Sequence, residues 1–164
     1  MSQPLAPELA RLYQETILEH NARPRNLGEL PGATHEARLH NPLCGDQVTL
    51  RLVVSGEGEG PGEGARITAA RFVGDSCALC RASASLLTLR VTADGGLGPA
   101  GALALGAALR HAVTPGLAPA AAGEPPLGEL QALTGVRDVP SRRRCATLPW
   151  EALEQALAPG PKRA

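Results

Sequence analysis

From Gln47 to Val54 the chain alternates, with Val48, Leu50, Leu52 and Val54 on one side and Thr49, Arg51 and Ser55 on the other. A period of two marks a strand with one buried face and one wet face. The stretch Ser55 to Gly64 then carries five glycines and a proline, and a second strand is expected at about Arg66 to Val73. The segment 55–64 reads as a flexible hairpin loop. It is not a phosphate loop, because it lacks a Lys-Ser/Thr ending and no helix follows it. A hairpin with one apolar face is stable only when something covers that face.

The cover is predicted to be helical. Leu9, Leu12, Tyr13, Thr16, Ile17 and His20 share one face at helical spacing, with Pro7 near the first turn and Asn21 and Pro24 at the end. A loop through Gly28 and Pro31-Gly32 leads to a strand near Thr34 to Leu39. Ala78 to Thr92 holds no glycine or proline, and Leu79, Ala82, Leu86 and Leu89 recur at helical spacing. Its small residues, Ala82 to Ser85, permit close approach to a sheet. Alanine-rich segments follow at about Ala100 to Ala112 and Gly128 to Leu133, with Pro115 to Pro126 between them. A last helix is expected from about Leu148 to Leu157, capped by Thr147. Strands first and helices later imply an α+β fold: a small antiparallel sheet of about three strands, helices on one face, N-terminal helix first. Residues 1–164 read as a single domain with a Pro/Ala-rich insertion at about 98–126.

Tyr13, Phe72 and Trp150 are the only aromatics, so small and medium aliphatics must pack the core closely. Lysines and arginines number 16 and so do aspartates and glutamates, a net charge of zero. Strong generic attraction to nucleic acid or to an anionic membrane needs a basic excess, so neither partner is expected. No stretch nears the roughly 18 apolar residues of a membrane span, and the N-terminus lacks a signal-peptide pattern. A cytoplasmic setting is expected, where thiols stay reduced and four cysteines read as metal-binding or catalytic before they read as a disulfide frame.

Those cysteines fall in three segments. Asn41-Pro-Leu-Cys-Gly-Asp46 sets a thiol and a carboxylate two residues apart at a turn between strands, where Gly45 frees the backbone to aim both. Gly74-Asp-Ser-Cys77 is a loop entering a helix, where free N–H groups favour a thiolate. Cys80 lies one turn further on, either as a second ligand, as half of a redox pair, or simply as a small buried hydrophobe. Arg142-Arg-Arg-Cys145 places the last thiol beside three guanidiniums, expected to favour its thiolate. Cys44, Asp46, Cys77 and Cys145 together offer the four anionic ligands that a tetrahedral metal such as zinc takes. His20, His35, His40 and His111 show no ligand spacing and read as surface or helix-face residues; His40 is nearest to Cys44.

In this order the segments resemble the U-type iron–sulfur cluster assembly proteins, the IscU and SufU group. The matching pieces are Leu12 to His20 with Pro24-Arg-Asn26, Asn41 to Asp46, Cys77 to Thr88, and Arg142 to Trp150. A long segment between Cys77 and Cys145, Arg144 in place of a histidine, and no Leu-Pro-Pro-Val-Lys segment bring it nearer the SufU type. The resemblance implies a zinc site of Cys44, Asp46, Cys77 and Cys145. It also implies a sulfurtransferase role, taking persulfide sulfur from a SufS-like cysteine desulfurase and serving downstream iron–sulfur assembly proteins. Cys44 is the implied sulfur acceptor and Arg142 supports the site. The alternative is a non-enzymatic scaffold assembling a transient [2Fe–2S] cluster on the same residues. Cys80 departs from the family pattern, which has a small hydroxyl residue there.

Overall fold

A computed structural model describes residues 7–56, 64–117 and 123–158. Helix α1 spans Pro7–Ala22 and leads to three strands, β1 at His35–Asn41, β2 at Asp46–Ser55 and β3 at Arg66–Val73. Helices α2 at Ala78–Thr92, α3 at Pro99–Val113 and α4 at Pro140–Leu157 follow, with a 3-10 stretch at Gly128–Asp138 before the last. The strands form one antiparallel sheet in the order β1-β2-β3, so the fold is the expected α+β arrangement with its N-terminal helix first. The expected loop at 55–64 falls mostly on residues 57–63, outside the described residues. The span 98–126 contains α3, which buries Ala102, Leu105, Ala108, Leu109 and Val113. No helix among the described residues is long and apolar enough to cross a membrane.

The alternation of β2 survives folding: Val48, Leu50 and Leu52 are buried and join the core. A register shift between Val53 and Val54 ends the regular pattern, as bulges do at strand ends. The outer edge of β3 is not left bare, since Phe72 exchanges backbone hydrogen bonds with Asn26 and Gly28. Helix α2 has no gap in its burial from Ala82 to Thr88. Its small side chains make that possible, and each buried hydroxyl has a partner. Ser83 Oγ donates to the Ala146 carbonyl at 2.6 Å, tying α2 to α4. Where aromatics are few, glycine substitutes for shape: a Cβ on Gly106 of α3 would stand 3.2 Å from the Trp150 ring of α4.

Helix α1 is more lightly docked than its pattern predicts. Leu12 is 55% exposed, and Leu9 and Leu18 are exposed as well. His20, read from sequence as a surface or helix-face residue, is instead the buried member of α1. Its Nδ1 lies 2.7 Å from Ser85 Oγ of α2, and the same oxygen accepts the Arg25 N–H at 2.8 Å. A buried ring needs such a partner, which the helical wheel alone does not show. Burial lowers the His20 pKa first and the Arg25 charge second, against opposing pulls from Glu129 and Glu19. Because the folded state resists protonation, this residue costs no stability above the unfolded value of 6.5. As pH falls through that value the unfolded chain binds the proton first, and stability is lost by up to about 1.4 kcal/mol per pH unit. Urea titrations at pH 7.0 and 5.5 should show the native chain losing more than His20→Asn; parallel losses would contradict it.

Candidate metal centre

The β1–β2 turn builds the first half of the site. Asn41 and Asp46 face each other as the last paired residues of the hairpin, and the Gly45 N–H donates to the Asn41 carbonyl at 2.8 Å. That closure needs Gly45 at φ +75, a conformation glycine adopts without strain. Asn41 is 2% exposed; its Oδ1 accepts the Leu43 N–H at 3.2 Å and its Nδ2 donates to Cys44 Sγ at 3.0 Å. The turn thereby holds Cys44 at the surface and Leu43 out in solvent, 93% exposed.

Asp46 opens β2 at 1% exposure and faces every thiol of the site. Its Oδ2 accepts from Cys44 Sγ at 2.9 Å, and Cys77 Sγ stands 3.6 Å from the same oxygen. Its Oδ1 accepts the Cys77 backbone N–H at 2.7 Å. Cys77 is the N-cap residue of α2, in extended conformation and without a side-chain cap bond of its own. The loop that brings it there depends on Gly74, whose φ of +147 suits no side chain and whose Cβ would fall 2.0 Å from the Gln47 carbonyl. The Gln47 N–H in turn donates to the Asp75 carbonyl at 2.8 Å. Burial works to raise the Asp46 pKa, but the hydrogen bonds from Cys44, the Cys77 amide and Cys145 outweigh it and hold the carboxyl low.

Cys145 arrives from α4, and here the structure corrects the sequence reading. The helix begins at Pro140, so Cys145 lies within it at 0% exposure and not ahead of it. Thr147 caps nothing; its hydroxyl bonds Glu151 one turn on, at 3.1 Å. Pro149 sits inside the helix, and because it has no N–H the Cys145 carbonyl loses its usual helical donor. The three arginines also part company. Arg143 donates to the Arg137 carbonyl and Arg144 pairs with Glu151. Only Arg142 serves the site, its pKa raised first by a hydrogen bond to Cys145 and then by the Cys145 and Cys77 charges. Burial, then Asp46, then Cys77 push the Cys145 thiol up, so the arginine run does not by itself create a thiolate there.

Ligand atoms of Cys44, Asp46 and Cys145 all lie within 4.8 Å of one another, with Cys77 against the Asp46 side. Cys44 and Cys145 sulfurs are 3.7 Å apart. Tetrahedral zinc with bonds of about 2.3 Å to sulfur and about 2.0 Å to oxygen sets two sulfurs roughly 3.8 Å apart and a sulfur and an oxygen roughly 3.5 Å apart. The Cys44, Asp46 and Cys145 donors fit such an ion once the Cys44–Asp46 spacing widens, and Cys77, which touches Asp46 but lies outside that close group, has to move in to complete it. His40 is exposed and stays outside this set. Cys80 is buried in the core at 0% exposure, and burial raises its thiol pKa. Cys80→Ser should leave metal content and site chemistry unchanged while lowering stability by about 1–3 kcal/mol, the worth of a poorly satisfied buried hydroxyl. Lost metal in that variant, read by atomic absorption, would count against a packing role.

A three-stranded hairpin sheet with helices on one face, carrying three thiols and a carboxylate at one end, defines a class of small α+β proteins built round a mixed sulfur–oxygen site. Residues 12–95 match the NifU-like N-terminal domain family, and the chain belongs to that family, the U-type iron–sulfur cluster assembly proteins. It is 32% identical over 150 residues to a Streptococcus pyogenes serotype M1 protein named iron–sulfur cluster assembly scaffold protein IscU, covering 92% of this chain and 85% of the relative. It is 31% identical over 155 residues to the Bacillus subtilis (strain 168) zinc-dependent sulfurtransferase SufU, covering 92% of each. A crystal structure from Fervidobacterium islandicum AW-1, described as a putative iron–sulfur cluster assembly scaffold protein for the SUF system, superposes with a TM-score of 0.68 at 23% identity. That match covers 93% of this chain and 100% of the other, and speaks to the fold.

Two residues that matter here carried no role in the sequence reading. Asn41 was visible only as the first letter of the turn motif, although an asparagine at a strand end before proline is an Asx-turn signal. Gly74 gave no local sign beyond being a glycine before a helix.

Proposed function

We infer that the protein is a zinc-dependent sulfurtransferase that accepts persulfide sulfur from a cysteine desulfurase for iron–sulfur cluster biogenesis. The observation that carries this reading is the unequal burial of the thiols around Asp46. Cys44 is exposed on a turn, Cys77 is half-buried and Cys145 is buried. One accessible sulfur is what a donor protein can reach. Cys44, Asp46, Cys77 and Cys145 are the residues that would hold the zinc. When bound, that ion keeps thiolates charged at neutral pH without redox activity of its own.

The chain's own part is then simple to write. The Cys44 thiolate attacks the terminal sulfur of the donor persulfide, a new S–S bond forms on Cys44, and the donor S–S bond breaks. The donor cysteine leaves with the electron pair as a thiolate, so no oxidant is consumed. Asp46 keeps the Cys77 segment and the turn aligned while Cys44 moves, and Arg142 offsets negative charge beside Cys145. A carboxylate among thiolates is the harder and more exchangeable donor, which suits a site that opens.

The test is alanine release by a cysteine desulfurase acting on cysteine under reductant and without iron, with and without this zinc-loaded protein. Stimulation that disappears in Cys44→Ala is the expected result. Absence of stimulation by the unaltered protein would overturn the reading and leave the scaffold alternative, a [2Fe–2S] cluster assembled on the same four residues, for which iron binding is then the measurement.

A further inference from the structure

The strand-end asparagine beside the exposed thiol does more than shape the turn. Asn41 is 2% exposed, and its side chain is fully committed: Oδ1 to the Leu43 N–H at 3.2 Å, Nδ2 to Cys44 Sγ at 3.0 Å. Asp46 and Asn41 are the closest polar neighbours of the Cys44 sulfur, with the Cys145 sulfur further off at 3.7 Å. The thiol proton faces Asp46 Oδ2 at 2.9 Å, while a lone pair faces the Asn41 amide. Asp46 can only repel a negative sulfur, whereas the buried Asn41 amide N–H favours one. Its direction is fixed before any reaction, because the other end of the amide is held by the backbone of the same turn. A donor aimed in advance at the atom on which charge develops is the arrangement that lowers a barrier instead of merely binding.

We propose that the Asn41 side-chain amide is a hydrogen-bond donor to the Cys44 sulfur during sulfur release, stabilising the thiolate that departs when a downstream acceptor takes the terminal sulfur. The step balances without a further reagent. An acceptor thiolate attacks the outer sulfur of the Cys44 persulfide, a new S–S bond forms on the acceptor, and the bond to Cys44 breaks with its electron pair left on Cys44 Sγ. The negative charge grows on the atom to which Asn41 Nδ2 already points. This inference rests on the sulfur-acceptor reading above and adds to it the group that eases the second half of the cycle.

Asn41→Asp keeps an oxygen for the Leu43 N–H and removes the donor to sulfur, and Asn41→Ser is a second variant that can still cap the turn. Each is loaded with persulfide, and sulfide release to dithiothreitol is followed in a single turnover. Release is expected to slow by roughly 10- to 100-fold, the worth of one hydrogen bond to a charged group. The cobalt(II)-loaded proteins give a reading independent of transfer. Loss of a hydrogen bond to a ligating thiolate raises the energy of its lone pairs, so the sulfur-to-cobalt charge-transfer band should move to longer wavelength in both variants. Release at the native rate with an unshifted band in a folded variant overturns the proposal. If the native protein accepts no persulfide at all, the parent reading has failed and this one with it. If the native protein accepts and releases persulfide and both variants do so at the same rate, Asn41 alone is wrongly assigned.

Discussion

Gly74→Ala should produce a chain that is markedly less stable and, on the zinc-site reading proposed above, holds little added zinc. The added Cβ would stand 2.0 Å from the Gln47 carbonyl oxygen, 2.9 Å from its carbon and 3.0 Å from Val48 Cα. These are backbone atoms at the start of a central strand, so no side-chain rotation relieves the contact. The backbone at φ +147 is itself unfavourable for alanine. Strain and displacement together should cost about 2–4 kcal/mol, or roughly 5–15 °C in Tm for a domain of this size. The effect on the site follows from geometry. Cys77 is three residues on, and its amide and sulfur reach Asp46 only because the loop lies flat on β2. Calorimetry gives the Tm, and zinc released to a chromogenic chelator gives the stoichiometry. A variant with native Tm and a full complement of zinc would mean that the loop does not approach β2 this closely.

Asp46→Ala should slow desulfurase-coupled sulfur transfer by at least about tenfold, the lower range for losing a group that orients a metal ligand. Two losses combine. The Cys77 amide, which donates to Asp46 Oδ1 at 2.7 Å, is left without its buried acceptor, at about 1–3 kcal/mol. The exchangeable oxygen is also gone, leaving thiolates that let go of an ion less readily. Asp46→Cys separates the two effects, because it restores a fourth donor but not a labile one. It should retain zinc against a chelator longer than the native protein and still transfer slowly. Transfer at the native rate in Asp46→Ala would remove the carboxylate from the cycle.

Much of this architecture was legible in the sequence because the signals were local. An uninterrupted run free of glycine and proline predicted α2 to the residue, Ala78 to Thr92. The period-two run predicted β2 to within a residue at each end. The start of α4 was missed because Thr147 and Pro149 imitate a helix start, whereas the true start uses Pro140 in the same way nine residues earlier. Burial of Cys145 and Ala146 against the rest of the core decides between them, and burial is a tertiary fact. The cysteine segments announced themselves as a group. What could not be read was direction: that Arg143 and Arg144 bond Arg137 and Glu151 and not the thiols, that His20 is enclosed, and that Cys80 is packed in the core. Those outcomes depend on which neighbours fold across from them, not on spacing along the chain.

The turn at the end of the hairpin has a bearing on how the molecule survives its own reaction. Of the four converging residues, α2 is anchored through Cys77 at its start and α4 through Cys145, whereas the hairpin contributes twice, through Cys44 and through Asp46 two residues later. In the language of cross-linked chains, Cys44 is the one redundant node. Detaching it opens no new loop, since every element it joins remains tied through Asp46, and the bond from the Cys77 amide to Asp46 persists whatever the sulfurs are doing. Cys77 and Cys145 are instead the only members of the group that α2 and α4 contribute. On the sulfur-transfer reading proposed above, the ligand that is given up in each cycle is therefore the one whose release leaves the connectivity of the site unchanged.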